Sequence, residues 1–150
     1  MREFNKILVP IDFSEVSTVL VPYAKYLAQR LGSEIHLLYV ARTLEYFSDF
    51  DVPSTSIETF EGEILEGAKK RMERFVEEHF KDTDVKTDVL SGDAATKIIG
   101  FAEKGNFDLI LIGTHGRKWL DKVIFGSVTD RVIKGAMCPV LTVNPYWIKH

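Results

Sequence analysis

Short apolar runs alternate along this chain with longer segments in which apolar residues recur at helical spacing. The runs have the length of buried strands, and the longer segments have the period of amphipathic helices. The predicted strands are 4–10, 35–40, 85–89, 107–112 and 140–143, and the predicted helices are 14–31, 57–80, 93–102 and 127–135. Regular alternation of this kind predicts an open α/β fold, a parallel sheet with helices on both faces.

The composition fits one ordinary domain and excludes several classes of partner. With 150 residues, 45% of them apolar, and no linker, the chain is predicted to form a single domain over residues 1–150. A formal charge of −3 without a basic tract argues against nucleic acid as a partner. No apolar run approaches the roughly 20 residues that span a bilayer, and no signal peptide is apparent. With Cys138 as the single cysteine, we expect a cytoplasmic protein without membrane contact.

Particular residues indicate where one helix begins, where one strand lies in the sheet and how the single cysteine packs. Asp93 has the side chain of a helix N-cap and begins the third predicted helix. Val85, Thr87 and Val89 alternate with charged residues, which is typical of a strand at the edge of a sheet. Cys138 lies in the apolar context AMCPVL and is predicted to be a small buried apolar residue.

The segment GTHGRKWLDKVIFGSVT, residues 113–129, directly follows the fourth predicted strand. Gly113 and Gly116 carry no Cβ atoms where this strand ends, so that backbone can approach a ligand closely. Gly126 and Ser127 begin the next helix, whose first N–H groups have no partners within the helix and favour anions. The segment therefore predicts a site for a nucleotide phosphate chain, although it matches neither the G-x-x-x-x-G-K-[ST] nor the G-x-G-x-x-G pattern.

The spacing Gly113, two residues, Gly116, nine residues, Gly126, Ser127 resembles the ATP-binding signature of the universal stress protein family. Three further segments are similar to the first, second and last strands of that family. They are KILVPIDFSE at 6–15, HLLYV at 36–40 and CPVLTV at 138–143. The resemblance therefore extends over nearly the whole chain.

The resemblance implies a doubly wound sheet of five parallel strands in the order 3-2-1-4-5. In that order the first and fourth strands are neighbours at the point where the winding of the sheet reverses. Ligands of open α/β sheets bind at the carboxyl ends of the strands around such a point. Asp12 follows the first strand and Gly113 follows the fourth, so both residues are expected at one crevice.

Asp12 has two interpretations. The resemblance implies that its carboxylate accepts hydrogen bonds from a ribose hydroxyl or the adenine amino group, with Pro10 and Ile11 in the same site. Alternatively, Asp12 together with Glu15, or Ser14 alone, caps the first helix.

The phosphates are assigned to the glycine segment. Backbone N–H groups near Gly116 and at Ser127 and Val128 are expected to donate to them, as are the hydroxyls of Ser127 and Thr129. The alternative is that Gly113, Gly116 and Gly126 are ordinary turn glycines. By matched position, Val40 and Ile112 would form apolar walls against base and ribose, although both are also typical core residues. Arg117 either offsets phosphate charge or faces solvent.

These assignments predict a stress-response protein that binds ATP, with Mg²⁺ held through the phosphates, and uses occupancy to change shape or partners with little turnover. His115 has no orienting partner nearby in sequence and no second metal ligand at suitable spacing, so we assign no catalytic residue and no protein metal site. A slow ATPase and an interaction protein with a vestigial pocket are the alternatives.

The last strand, 140–143, is predicted to join two copies in a homodimer, because it is a sheet edge in the implied order. Tyr146, Trp147 and Ile148 follow it and would pack across the twofold axis, unless this tail covers its own edge instead. Leu141→Pro is expected to break such a dimer.

Two features depart from the family pattern or have no assigned role. Trp119 stands where the family usually has a small residue, often glycine. The connection 41–56 carries Tyr46, Phe47 and Phe50 and is a surface loop, a lid over the site or a surface for a partner.

Overall fold

The computed structural model describes residues 3–42, 54–115 and 126–146. In this part of the chain, strands and helices alternate without exception. The elements are β1 (Lys6–Pro10), α1 (Glu15–Leu31), β2 (Glu34–Ala41), α2 (Ser54–His79), β3 (Val85–Ser91), α3 (Ala94–Lys104), β4 (Leu109–Gly113), α4 (Ser127–Gly135) and β5 (Val140–Val143). Every predicted element is confirmed in type, and the differences are confined to the ends.

The five strands form one parallel sheet in the order β3-β2-β1-β4-β5. In its register Ile7 lies beside Ile35 of β2 on one side and Leu109 of β4 on the other. The fold class and the strand order are therefore confirmed, with β3 at one edge, as its alternating pattern predicts, and β5 at the other. β3 extends beyond the predicted 85–89 because Leu90 and Ser91 also pair with β2.

Two apolar clusters cover the two faces of the sheet. Alternate residues of β1 enter different clusters, since successive side chains of a strand point to opposite faces. Ile7 packs with residues of α1 and α2, such as Leu20 and Met72. Leu8 packs on the other face with residues of α3 and α4, such as Ile98 and Val132. Cys138 packs against this second cluster. It is only half-buried, and so it is less buried than predicted.

The helix ends follow the residues that mark them. Asp93 caps α3 by accepting a hydrogen bond of 3.0 Å from Thr96 N, as predicted. Gly32 ends α1 in the left-handed conformation, with φ at 68° and its N–H bonded to Ala28 O. Pro22 lies within α1, and the helix continues through this residue. None of the helices in the described ranges is both long enough and apolar enough to cross a bilayer.

Candidate functional site

The sheet topology brings two groups of predicted site residues to the carboxyl ends of neighbouring strands. Pro10 is the last residue of β1, and Ile11 and Asp12 follow it, with Ile11 N bonded to Leu38 O of β2 at 2.9 Å. Gly113 is the last residue of β4, which pairs with β1. The chain reverses its winding between these two strands. Asp12 and Gly113 thus follow adjacent parallel strands at the switch point, where open α/β sheets bind ligands.

Asp12 is bonded to the start of α1. Its Oδ1 accepts hydrogen bonds from Ser14 N and from Ser17 Oγ, both at 2.9 Å, and from the Ser14 hydroxyl. Ser17 Oγ also accepts from Asp12 N at 2.9 Å. Ser14 occupies the N-cap position, but its side chain makes no capping bond. Contact between Asp12 and the helix start is therefore present, and contact with a ligand stays a prediction.

Phe13 of this loop and Ser17 in the first turn of α1 also belong to this arrangement, although the sequence patterns did not single them out. Ser17 is only 2% exposed and exchanges two hydrogen bonds with Asp12. Ser17 could have been noticed because it stands beside Val16 on the apolar face of α1, where a buried hydroxyl needs a hydrogen-bond partner. Phe13 has a φ of 62°, which no sequence pattern near it indicates.

The start of α4 is fastened to the end of β4 by two hydrogen bonds. Gly126 N donates to Thr114 O at 2.7 Å. Thr129 Oγ1 donates to Gly113 O at 2.7 Å. The first turn of α4, which begins at Ser127 and Val128, therefore stands beside the end of β4, and its N–H groups have no carbonyl partners within the helix. A helix start of this kind suits an anion.

Thr129 makes a contact within the protein that the sequence does not indicate. Its side chain is buried, and its hydroxyl is the donor to Gly113 O. A hydroxyl has one hydrogen, so Thr129 as positioned does not also donate to a phosphate. Its hydroxyl holds α4 against β4, and donation from it to a phosphate, which would require it to leave Gly113 O, stays a prediction. Ser127 is exposed, and the prediction for its hydroxyl stands.

Gly113 is required by packing as well as by any ligand. A Cβ atom at this position would lie 2.7 Å from Val16 Cγ1 of α1 and 3.3 Å from His115 O. The close approach of α1 to β4 therefore demands glycine here. Val40 and Ile112, the predicted walls of the site, are both buried in the second cluster. Their expected contact with base and ribose stays a prediction.

α4 is also joined to the start of α3 by a pair of oppositely charged side chains. Arg131 donates to the Asp93 carboxylate at 2.9 Å and to Thr96 Oγ1 at 3.1 Å. The hydrogen bond from Arg131, followed by those from Thr96, keeps the pKa of Asp93 well below its usual range. The same pair raises the pKa of Arg131. The N-cap of α3 thus serves also as the partner of α4.

His115 is buried beside the site, directly after β4 and Thr114. Its Nδ1 lies 2.8 Å from Thr114 Oγ1, and its ring meets the edge of Tyr146 at 5.8 Å between centroids. Within 3–42, 54–115 and 126–146, no group of three or more His, Cys, Asp or Glu side chains could hold a metal ion.

Several predicted features lie outside the described residues. Gly116, Arg117 and Trp119 fall in the segment 116–125, and the aromatic residues of the connection fall in 43–53. Trp147 and Ile148 likewise lie beyond the last described residue. The predictions made for them stay predictions.

Fold and site together define the class of this molecule: an open, doubly wound α/β protein with a candidate ligand site at its topological switch point. The model of the universal stress protein family matches residues 3–144, and the chain belongs to this family.

Two curated relatives come from Methanocaldococcus jannaschii. Universal stress protein MJ0531 is 35% identical over 145 residues, which cover 94% of this chain and 82% of the relative. Universal stress protein MJ0577 is 32% identical over 157 residues, which cover 94% and 95% of the two chains.

Solved structures carry the same fold. The structure of MJ0577 superposes with a TM-score of 0.83 at 30% identity and covers 95% of this chain and 97% of its own. A universal stress protein solved in complex with cAMP has a TM-score of 0.61 and covers 96% of this chain and 99% of its own. At 19% identity this second likeness concerns the fold alone.

Proposed function

We propose that this protein binds ATP together with Mg²⁺ at the carboxyl ends of β1 and β4. Occupancy of the site then changes the shape of the protein, its dimerisation or its choice of partner in a stress response. Little or no turnover accompanies binding. Membership of the universal stress protein family supports the general role, and the geometry of the candidate site supports the nucleotide.

One observation carries the proposal. The bonds from Gly126 N to Thr114 O and from Thr129 Oγ1 to Gly113 O hold the start of α4 at the end of β4. A helix start that is already fixed binds an anion without a further ordering cost. Gly126 adds no side chain at the N-cap, so the N–H groups of the first turn stay accessible to phosphate oxygens.

The proposed contacts follow from this arrangement. The phosphates meet the backbone of Gly113, Gly116 and Gly126 and the N–H groups of Ser127 and Val128, and Arg117 offsets their charge. Asp12 accepts from ribose or adenine. Pro10, Ile11, Val40 and Ile112 supply the apolar walls. Mg²⁺ binds mainly through phosphate oxygens and water, since this ion keeps several waters and needs few protein groups. The universal stress protein solved with cAMP is a fold relative whose ligand also contains adenine.

Gly126→Asp is the variant that tests the site. Gly126 has φ −64° and ψ 160°, which any residue adopts, and Asp is a favourable N-cap. The variant should therefore fold at least as stably as the wild type. Its carboxylate would take the N–H groups that the phosphates need and would repel them. Calorimetric titration with ATP and Mg²⁺ should show binding to the wild type and none to Gly126→Asp.

Two control variants isolate the cause. Gly126→Ser adds a neutral capping side chain and should weaken ATP binding less than Gly126→Asp does. Gly67→Asp adds the same charge on α2, where a Cβ meets nothing within 4 Å, and should bind as the wild type does. A folded Gly126→Asp protein that binds ATP with unchanged affinity would contradict the proposed site.

A slow ATPase is the alternative within the same fold. His115 is the histidine closest in sequence to the glycines, and the sequence offers no orienting partner beside it for a general base. We therefore expect turnover below the enzymatic range of ~1–10³ s⁻¹. Sustained hydrolysis within that range, lost in Asp12→Ala, would favour the ATPase.

The homodimer is part of the proposal. The edge strand β5 is bordered by apolar side chains that are partly exposed: Leu141 at 40%, Tyr146 at 50% and Met137 at 76%. A depression of about 280 Å³ lies along this strand and is lined by Tyr23, Leu141, Thr142, Val143 and Asn144. An apolar edge strand whose outer side pairs with no other strand among the described residues favours pairing with a second copy.

A further inference from the structure

Phe13 follows Asp12 directly and has a left-handed backbone, with φ at 62°. Left-handed conformations are unfavourable for residues with a Cβ and uncommon for large aromatic residues. In the described part of the chain, the other non-glycine residue with positive φ is Asn106, a residue type that tolerates this conformation. Something in the fold must therefore hold Phe13 in this state.

The ring of Phe13 is held by three side chains from β2 and α2. The Arg71 guanidinium lies 4.7 Å from the centre of the ring. The Tyr39 ring lies 4.6 Å away and the Phe75 ring 6.1 Å away, between centroids. Phe13 also packs against the first apolar cluster. These contacts stabilise the ring position, and through it the unfavourable backbone conformation.

The backbone of residue 13 also determines where Asp12 lies. The chain turns at Phe13, and this turn brings Ser14 N within 2.9 Å of Asp12 Oδ1 and Ser17 Oγ within 2.9 Å of the same oxygen. Relaxation of Phe13 to a negative φ would rotate the peptide between residues 13 and 14 and break this arrangement. The orientation of the carboxylate thus depends on a conformation that distant residues maintain.

From these contacts we infer that Phe13 is a positioning residue for the nucleotide site. Its ring, held by Arg71, Tyr39 and Phe75, keeps residue 13 left-handed, and this conformation presents the Asp12 carboxylate to the nucleotide. The inference rests on the proposed function, because it takes the ligand to be ATP. It adds that α2, through Arg71, contributes to nucleotide affinity without touching the nucleotide.

Two substitutions at one position separate positioning from packing. Phe13→Ala and Phe13→Gly both remove the ring and all of its contacts. Alanine keeps the cost of positive φ, whereas glycine adopts this conformation freely. If the backbone conformation is what matters, Phe13→Ala should weaken ATP binding about 5-fold or more, and glycine at the same position should recover most of the loss. If only packing matters, both variants should lose binding alike.

ATP binding in the presence of Mg²⁺ would be measured by calorimetry on the full chain, with the melting temperature of each variant recorded. We expect both Phe13 variants to melt earlier than the wild type and only Phe13→Ala to bind ATP distinctly more weakly. In an Asp12→Ala background, Phe13→Ala should cause no further loss, because its effect acts through Asp12.

Arg71→Ala extends the test to a variant that leaves residue 13 unchanged, and it serves if Phe13→Ala fails to fold. It should weaken ATP binding about 2-fold to 3-fold, in line with one cation–π contact. Tyr26 and Arg30 form a similar contact on the exposed face of α1, at 5.3 Å. Tyr26→Ala and Arg30→Ala are therefore the matched controls and should bind ATP as the wild type does.

The outcomes are distinguishable from failure of the proposed function. A wild type that does not bind ATP would overturn the proposed function and this inference with it. A wild type that binds ATP, with Phe13→Gly impaired as much as Phe13→Ala or with neither impaired, would overturn the inference and leave the nucleotide site intact.

Discussion

Thr129 is a single side chain that joins two elements of the site. Its buried hydroxyl donates to Gly113 O at 2.7 Å and so fixes the first turn of α4 on the last residue of β4. A bond between a side chain and a distant carbonyl in the interior affects both stability and the geometry of the helix start.

Thr129→Val keeps the shape of the side chain and removes the donor. The Gly113 carbonyl then loses a buried partner, which should lower the free energy of unfolding by about 1–3 kcal/mol. Urea denaturation would measure the loss. Thr129→Ser retains the hydroxyl and should lose less, and Thr18→Val, at an exposed position of α1, should be close to neutral. A Thr129→Val protein as stable as the wild type would contradict the structural role assigned to this bond.

Among the elements, α3 and α4 are joined by the pair of Asp93 and Arg131. The carboxylate and guanidinium approach to 2.8 Å, although both side chains are about half exposed. The contribution of this pair to stability should therefore be modest. Because the pKa of Asp93 is lowered in the folded protein, chiefly by Arg131, the ionised carboxylate favours folding.

The sign of the pH dependence follows from this shift. The contribution of Asp93 is complete above the unfolded pKa of about 3.9, and it is lost as pH falls towards the lower folded value. Asp93→Asn keeps a capping side chain but removes the charge. The wild type should therefore be more stable than Asp93→Asn at pH 7, and the difference should shrink as pH falls below about 4. Urea denaturation across this range checks it. In an Arg131→Gln background the pH dependence should be smaller, and a stability difference between the wild type and Asp93→Asn that stays constant with pH would contradict the assignment.

The sequence predicts elements and misses contacts between residues that are distant along the chain. The Asp93 cap and the start of α4 at Ser127 could be predicted because caps and apolar period are local signals. The strand order came from family resemblance and is confirmed. The bond from Thr129 to Gly113 O, the pair of Arg131 with Asp93, and the Arg71 contact with Phe13 each depend on how separate elements pack. No periodicity in the sequence encodes these contacts.

The proposed dimer forms along the edge strand β5. Pro139 O accepts from Ile110 N of β4 at 3.0 Å, and Val143 O accepts from Thr114 N at 2.9 Å. Backbone groups of alternate residues in a strand point to opposite sides, so Leu141 also faces β4, whereas Val140 and Thr142 face away from the sheet. Leu141→Pro would therefore damage the sheet itself, so loss of a dimer in that variant would not isolate the contact between two copies.

Thr142→Pro is the better test of the dimer. Proline at residue 142 removes a donor on the open side of β5 and leaves the bonds to β4 in place. Sedimentation at micromolar concentration should give a dimer mass for the wild type and a monomer mass for a folded Thr142→Pro protein. A wild type that sediments as a monomer, unchanged by saturating ATP, would contradict the proposed dimer.

In the proposed function, an adenine nucleotide binds where β1 and β4 end and α4 begins. An NMR titration of the wild type with ATP and Mg²⁺, followed through backbone amide signals, tests this place directly. The largest shifts should fall on residues 12–14, 113–115 and 126–129, because these backbone groups surround the switch point. The proposed place of binding would be contradicted if saturating ATP shifted no signal. It would also be contradicted if ATP chiefly shifted residues at the amino ends of the strands, such as Lys6, Glu34 and Leu109.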